Sequence, residues 1–156
     1  GRKPLNLSVV NPENLQDREV VTIGYPALDP TGNLSYQNLQ NRIFRGVYYV
    51  KRLQPGILRV REDIESYGRF VKAITHDCST LGGNSGSAVL ILPKLPGESI
   101  EVIGLHFAGA YLHANYAVST HDLAGDHRIV DTGIRFVKSI TSNNKFYDNY
   151  WSNTNK

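Results

Sequence analysis

The stretch that decides the fold of this chain is residues 75–90, which read THDCSTLGGNSGSAVL. Within it, Ser85 lies between glycines in a short polar segment that leads directly into residues 88–92, an apolar run typical of a buried strand. An attacking hydroxyl needs such a tight turn, because a carbonyl carbon must approach the backbone closely and its developing oxyanion must meet backbone N–H groups. The N–H groups of Gly83 and Ser85 are the two candidate donors.

Two other kinds of glycine-rich loop are excluded by the residues around Ser85. The nucleophile elbow of α/β-hydrolases has the pattern G-x-S-x-G and continues into a helix, whereas Ser87 occupies the last glycine position here and a strand-like run follows. A phosphate-binding loop places a Lys before Ser or Thr at the start of a helix, and this segment contains no Lys.

The rest of the chain consists of short β-branched or aromatic runs separated by Pro, Gly and Asn. We expect strands at residues 20–23, 43–50, 57–60, 70–74, 88–92, 102–107 and 116–118. Short strands joined by such turns predict an all-β antiparallel barrel or sandwich. Residues 128–140 have apolar positions at helical spacing and predict one C-terminal α-helix. Residues 1–18 predict an extended lead-in that could contain a short strand, and residues 141–156 a polar tail.

Composition limits the function further. The chain has 156 residues and a net charge of +3, which fits one domain and does not indicate nucleic acid or an anionic membrane as partner. No run approaches the roughly 18 apolar residues of a membrane span. The single cysteine, Cys78, excludes an intrachain disulfide and a Cys-based zinc site, and we interpret it as a buried packing residue. His76 and Asp77 are interpreted as a structural polar pair.

The start of the chain and its compartment are open questions at this stage. The sequence begins at Gly1 and contains no Met, which predicts a processed or truncated chain. A lone free cysteine is compatible with the bacterial cytoplasm, which we prefer, and with secretion of a cysteine-poor protein.

The segment around Ser85 resembles the nucleophile loop of chymotrypsin-like serine peptidases, in the variant with Asn before the serine that bacterial glutamyl endopeptidases carry. Three flanking segments are similar to that family in the same order along the chain: VVTIGYP at 20–26, GLHFAG at 104–109 and NYAV at 115–118. The resemblance implies the second barrel of the chymotrypsin fold, a six-stranded antiparallel Greek-key barrel over residues 1–140 with its helix at 128–140.

The resemblance also implies roles for individual residues. Ser85 matches the nucleophile, the N–H groups of Gly83 and Ser85 match the oxyanion hole, and Asn84 matches a residue that supports the loop. The matching substrate-binding residues are Ser79, Thr80, His106, Phe107, Ala108 and Gly109. Thr and His side chains both donate hydrogen bonds and suit a carboxylate, so we hypothesise cleavage after Glu or Asp. No metal and no organic cofactor is implied.

In that family the general-base His and its orienting Asp lie in the first barrel, upstream of the nucleophile. The histidines of this chain are His76, His106, His113, His121 and His127. The resemblance therefore implies the C-terminal half of a two-barrel endopeptidase, inactive alone, whose partners are a peptide substrate and the missing N-terminal barrel. One of these histidines acting as a substitute base is an alternative. So are a catalytically inactive peptide-binding module and a β-barrel in which the loop is only a turn.

Overall fold

The computed structural model describes residues 4–93 and 99–137, and its architecture is mostly β-sheet with a few helices. The strands are β1 (Asn6–Ser8), β2 (Glu19–Gly24), β3 (Arg52–Ser66), β4 (Arg69–His76), β5 (Ala88–Ile91), β6 (Glu101–Ala110), β7 (Ala114–Ser119) and β8 (Phe136–Val137). The helices are α1 (Leu34–Phe44), α2 (Thr120–Leu123) and α3 (His127–Val130), with a 3₁₀ turn at Pro12–Leu15.

Six of these strands close into a ring. The order around it is β5-β2-β3-β4-β7-β6, and β6 pairs again with β5. Every pairing in the ring is antiparallel. The predicted strands at 20–23, 57–60, 70–74, 88–92, 102–107 and 116–118 all fall on ring strands. The mainly β, antiparallel architecture is therefore confirmed, while the Greek-key barrel stays a prediction.

Strand β2 is buried on both of its faces, which explains why most of its side chains are apolar. Successive side chains of a strand point to opposite faces, and here Val20 and Val21 enter two different apolar clusters. The larger cluster joins Val20 to residues of the other ring strands and of the lead-in, including Leu15, Leu58, Ile74, Val89 and Ile103. The smaller one joins Val21 to Leu90 and Val102, and Leu7 of β1 packs against it. The ring is thus a rigid support for the loops that leave it.

The strand predicted at residues 43–50 is wrong, because part of it ends helix α1 and the rest is loop. The side chain of Asn33 caps this helix by accepting a hydrogen bond from the N–H of Tyr36 at 2.9 Å. The helix ends at Arg45, which adopts the left-handed conformation with φ of 52°. A polar cap followed by apolar residues at helical spacing was the signal for this helix, and the β-branched residues that follow α1 obscured it.

The single helix predicted at 128–140 is also wrong over the described residues. Helix α3 has four residues, and Gly133 then takes a positive φ of +78° that ends any helical run. The chain continues into β8, which pairs in parallel with β1. The lead-in contains β1 and the 3₁₀ turn, in agreement with a short strand there. The predicted tail at 141–156, like residues 138–140, lies outside the described residues.

No helix in the described part of the chain is both long and apolar enough to cross a membrane.

Candidate active site

The loop that carries Ser85 connects β4 to β5 through two successive turns and contains no helix. Gly83 and Gly86 have positive φ angles of +85° and +83°, a backbone region that glycine enters without steric cost. The loop is tied to β6, because Gly86 N–H donates to the carbonyl of His106 (2.8 Å) and His106 N–H donates to the carbonyl of Ser87 (2.9 Å). Ser85 is exposed at the start of the second turn.

The N–H groups of Gly83 and Ser85 point away from the hydrogen bonds that hold the loop. A trans peptide unit directs its C=O and its N–H to opposite sides. The carbonyl of Gly82 accepts a hydrogen bond from the β2–β3 connection at 2.7 Å, and that of Asn84 accepts from Ser87 N–H at 2.9 Å. Within the described residues, the N–H groups of these same two peptide units donate to no protein acceptor. Two backbone donors are thus free beside the Ser85 hydroxyl.

The Ser85 hydroxyl has one polar neighbour among the described residues, the carbonyl of Phe107 at 3.5 Å, which is too long for a strong hydrogen bond. The histidines are engaged elsewhere: His113 faces a β3 carboxylate at 3.4 Å, and His121 faces a backbone carbonyl at 2.9 Å. His127 lies on α3. The alternative of a substitute base thus has no support from hydrogen-bond contacts in residues 4–93 and 99–137.

Asn84, the residue before the serine, is completely buried. Its Nδ2 donates to the carbonyl of Leu81 at 3.1 Å, and its Oδ1 accepts from Nε2 of Gln54 on β3 at 3.0 Å. A side chain on Gly24 of β2 would come within 2.2 Å of the same Oδ1, so a glycine is required there. These contacts connect Asn84 to its own loop and to β3 through Gln54, a residue that sequence reasoning missed, and the supporting role of Asn84 stays a prediction.

Ser85 borders a cavity of about 840 Å³, near the upper end of the roughly 300–1,000 Å³ typical of ligand pockets. Five of the residues predicted to bind substrate line it, namely Ser79, Thr80, His106, Ala108 and Gly109. Phe107, the sixth, is not among the lining residues and contributes the carbonyl that faces Ser85. We call the side of the cavity formed by Ser85, Thr80, His106 and Asn115 the inner wall.

Thr80 and Asn115 are linked within the inner wall. The Thr80 hydroxyl donates to Oδ1 of Asn115, whose Nδ2 donates to the carbonyl of Cys78 at 2.7 Å. The Thr80 hydroxyl therefore donates its hydrogen bond within the protein. Towards the cavity it can act only as an acceptor, through the lone pairs of its oxygen. Cys78 is buried, as expected for a packing residue, and its burial raises the pKa of the thiol to about 11.

The most unusual feature of the inner wall is a pair of buried histidines. Nε2 of His76 on β4 lies 3.3 Å from Nδ1 of His106 on β6. Burial lowers the pKa of His76 to about 3, helped by the proximity of His106, and burial lowers the pKa of His106 to about 4. Both imidazoles are therefore neutral at pH 7. The prediction that His76 forms a structural pair with Asp77 is wrong, because its ring contacts His106, and Asp77 instead binds Arg59.

The position of the proton on each imidazole of this pair is inferred from the surroundings of Nδ1 of His76. Nδ1 of His76 is buried and has no partner among the described residues. An unpaired buried acceptor is tolerated better than an unpaired buried N–H. On this argument we assign the His76 proton to Nε2, which then donates to Nδ1 of His106, and the His106 proton to Nε2. With this assignment, His106 is a neutral N–H donor of the inner wall.

Opposite the inner wall, helix α1 and the β6–β7 turn form a second side that we call the rim. The rings of Tyr36 on α1 and Tyr111 in the turn meet edge to face, with centroids 4.5 Å apart and planes at 77°. The buried side chain of Gln40 holds α1 to the preceding loop through the N–H (3.1 Å) and carbonyl (2.9 Å) of Asp29. Burial, together with the charge of Asp29, raises the pKa of Tyr36.

The cavity offers no fixed positive charge, since none of the described residues that line it is Lys or Arg. Its two carboxylates are satisfied within the protein. Asp77 pairs with Arg59 at 2.7 Å, and hydrogen bonds from the side chain and backbone of Thr31 lower the pKa of Asp29. An acidic ligand would therefore depend on the neutral N–H of His106, because the Thr80 hydroxyl, the other donor expected from the sequence, donates to Asn115 instead.

One known protein is similar to this chain in sequence. A probable serine protease of Lysobacter enzymogenes is 32% identical over 100 residues, which are 62% of this chain and 25% of that protein. The similarity supports a serine protease. It does not distinguish a subtype, and the chain spans about a quarter of the relative's length. No protein-family model matches the chain.

Ser85 and several residues predicted from the serine protease resemblance line one cavity. Sequence reasoning nevertheless missed other residues of the site. Asn115, which orients Thr80, was noticed only as part of a strand. Gln54 carries no sequence signal, because one Gln in a strand does not reveal which loop it contacts. Tyr36 and Tyr111 were missed because the helix that carries Tyr36 was not predicted.

Proposed function

We propose that this chain is the nucleophile-bearing half of a trypsin-like serine endopeptidase, in which Ser85 forms the acyl-enzyme. The observation that carries the proposal is the exposed Ser85 hydroxyl beside two unengaged backbone N–H groups, at the border of the cavity. A fixed pair of donors at such a position stabilises an oxyanion, and loss of one oxyanion-hole donor in another protease costs roughly 10²- to 10³-fold in rate.

In this mechanism Ser85 Oγ bonds to the scissile carbonyl carbon while its proton passes to a base. The N–H groups of Gly83 and Ser85 stabilise the resulting oxyanion. The carbon–nitrogen bond then breaks, the amine leaves with a proton from the protonated base, and water hydrolyses the acyl-enzyme by the same steps. We assign the base, a His oriented by an Asp, to an N-terminal barrel of the same protein.

The substrate backbone would run along the edge of β6 next to Ser85. Residues 107–109 follow the part of β6 that pairs with β5, and their other side is bonded to β7. An extended peptide can add to such an edge as a further strand. The side chain before the scissile bond would then enter the cavity between Thr80 and His106.

We further propose that this side chain is acidic. The neutral Nε2–H of His106 donates to its carboxylate, and the carboxylate in turn favours protonation of the imidazole, which raises the pKa of His106 from its depressed value. Because no Lys or Arg is among the described residues that line the cavity, charge selection rests on this one donor and on the groups around it. A hydrogen bond to a charged group contributes roughly 1.5–3 kcal/mol, so the preference over a neutral side chain is about 10- to 100-fold.

Two measurements on the complete protein test these proposals. A fluorophosphonate should label Ser85 covalently, as detected by mass spectrometry, and Ser85→Ala should abolish labelling and peptide hydrolysis while leaving the melting temperature unchanged. Matched peptides with Glu, Gln, Lys or Phe at one position should be cleaved fastest after Glu, and His106→Ala should reduce that preference while the control His127→Ala, at an exposed residue outside the cavity lining, should not. Preferred cleavage after Lys or Phe would refute the acidic specificity.

A peptide-binding module without catalysis is the second candidate, because no described residue supplies a base to Ser85. It predicts peptide affinity in the same cavity with no labelling of Ser85 in the correctly folded complete protein. Covalent labelling at Ser85 would exclude it.

A further inference from the structure

Gln54 and Asn84 form a buried amide pair beneath the Ser85 loop. Gln54 lies on β3 opposite Thr22 of β2, and both Gln54 and Asn84 are buried, with 3% and 0% of their surface exposed. Nε2 of Gln54 donates to Oδ1 of Asn84 at 3.0 Å across 30 residues of sequence. The bond therefore connects the turn that carries Ser85 to a strand of the rigid ring.

The other hydrogen bonds of Asn84 stay within its own loop. Its N–H and its Nδ2 both approach the carbonyl of Leu81, at 3.2 and 3.1 Å, and its carbonyl accepts from Ser87 N–H. Among the described residues, Gln54 is thus the one hydrogen-bond partner that holds Asn84 from outside the loop. Ser85 follows Asn84 directly, and the peptide unit between them contains one of the two free N–H groups.

The pair is costly to bury, which argues against a purely structural role. Oε1 of Gln54 has no hydrogen-bond partner among the described residues, and an unpaired buried amide oxygen destabilises a fold. A Leu of similar size would avoid that cost on β3. Imperfectly satisfied polar groups persist where they serve a site, and Gly24 on β2 leaves the space that Oδ1 of Asn84 occupies.

We propose that Gln54 is a positioning residue, whose amide holds Asn84 and thereby places the Ser85 hydroxyl and N–H in the geometry that reacts. The proposal rests on the nucleophilic role of Ser85 given above. Because Gln54 and Asn84 are both neutral amides, the hydrogen bond between them requires no ionised group.

The test compares fluorophosphonate labelling of Ser85 in the complete protein and in Gln54→Leu. The maximal labelling rate should fall roughly 10- to 100-fold, the range that small misplacements of reacting groups produce, while the half-saturating reagent concentration stays the same. The control is Thr120→Val, which removes a buried hydroxyl that donates to the carbonyls of Ser8 and Val102. It should lower the melting temperature and leave the labelling rate of folded molecules unchanged.

Gln54→Glu provides a second test that needs no comparison of stabilities. The introduced carboxyl group can donate to Oδ1 of Asn84 only when it is protonated, and burial raises the pKa of a carboxyl group above its usual value of about 4.3. Labelling relative to the unmodified protein should therefore be near normal at low pH and fall as the pH rises through that pKa. If Asn84 turned its Nδ2 towards the carboxylate instead, the carbonyl of Leu81 would lose its side-chain donor and keep the backbone N–H of Asn84.

The outcomes distinguish the nucleophilic role of Ser85 from the positioning role of Gln54. No labelling of the unmodified protein refutes the nucleophilic role of Ser85, and the role of Gln54 fails with it. Normal labelling of the unmodified protein with an equal rate in Gln54→Leu, or a pH profile of Gln54→Glu parallel to that of the unmodified protein, refutes the positioning role alone. If Gln54→Leu does not fold, the pH profile of Gln54→Glu gives the answer.

Discussion

The inner wall and the rim of the cavity are held by different kinds of contact. Buried hydrogen bonds connect Asn84, next to Ser85 of the inner wall, to Gln54, and His106 of the inner wall to His76, and both partners are on ring strands. On the rim, buried Gln40 bonds α1 to the loop before it, one aromatic contact joins Tyr36 to the turn between β6 and β7, and Tyr111 is about half exposed. Groups that react must hold a fixed geometry, whereas a surface that only admits a ligand can vary. The difference suits the chemistry proposed for Ser85, and it leads us to expect that the rim selects larger groups.

The largest expected effect is at Gly83, in the loop that carries Ser85 into the inner wall. Gly83→Ala places a Cβ 2.5 Å from the carbonyl oxygen of Tyr25 and forces a non-glycine residue into a φ of +85°. The left-handed conformation costs about 1–2 kcal/mol in folding free energy. If the turn shifts and one oxyanion donor is lost, labelling of Ser85 should slow by roughly 10²- to 10³-fold.

Gly82→Ala is the matched control, because a Cβ there meets no atom within 4 Å. It should keep nearly normal labelling. Equal losses in the two variants would contradict a specific role for the Gly83 peptide unit.

A smaller effect concerns the buried histidines of the inner wall. Their pKa values of about 3 for His76 and about 4 for His106 lie below the value of 6.5 expected in the unfolded chain. Between the folded and unfolded pKa values, the two imidazoles bind more protons in the unfolded state than in the folded state. Their contribution to the free energy of unfolding is therefore complete above pH 6.5 and declines as the pH falls. Calorimetry from pH 7.5 to 4.5 should show a falling melting temperature.

Replacing both histidines by Gln is the control for this slope, because Gln does not titrate. The double variant should show a shallower decline of melting temperature with falling pH. An unchanged slope would mean that other groups cause the acid sensitivity.

The smallest effect is expected on the rim. Tyr36→Ala removes the edge-to-face contact with Tyr111, which contributes about 0.5–1.5 kcal/mol to stability in typical aromatic pairs. Labelling by a small fluorophosphonate should change far less than in Gly83→Ala, while peptides with bulky side chains next to the scissile bond should be accepted more readily. Tyr49→Ala is the control, because Tyr49 is exposed and does not line the cavity.

If labelling fell as much in Tyr36→Ala as in Gly83→Ala, the inner wall and the rim could not be assigned different roles. The rim would then take part in placing the reacting groups.

The ring strands and the Ser85 loop could be predicted from the sequence because their signals are local. Alternating or continuous apolar runs mark β2, β5 and β6, and glycines around Ser85 mark a turn that requires positive φ. Thr80 and His106, which were expected to bind substrate, line one cavity in the structure because they lie in that loop or on the strand bonded to it. Their catalytic and binding roles stay predictions.

What the sequence alone determined was therefore a set of antiparallel strands and one serine in a glycine-flanked turn, both of which depend on interactions between near neighbours. Only the tertiary structure decided that Gln54 supports Asn84, that His76 meets His106, and that α1 brings Tyr36 to the cavity. Each of these contacts joins residues far apart in sequence, and a polar or aromatic side chain carries no local mark of a distant partner. The closure of the six strands into a ring determines those partners, because it fixes which strands and loops are neighbours.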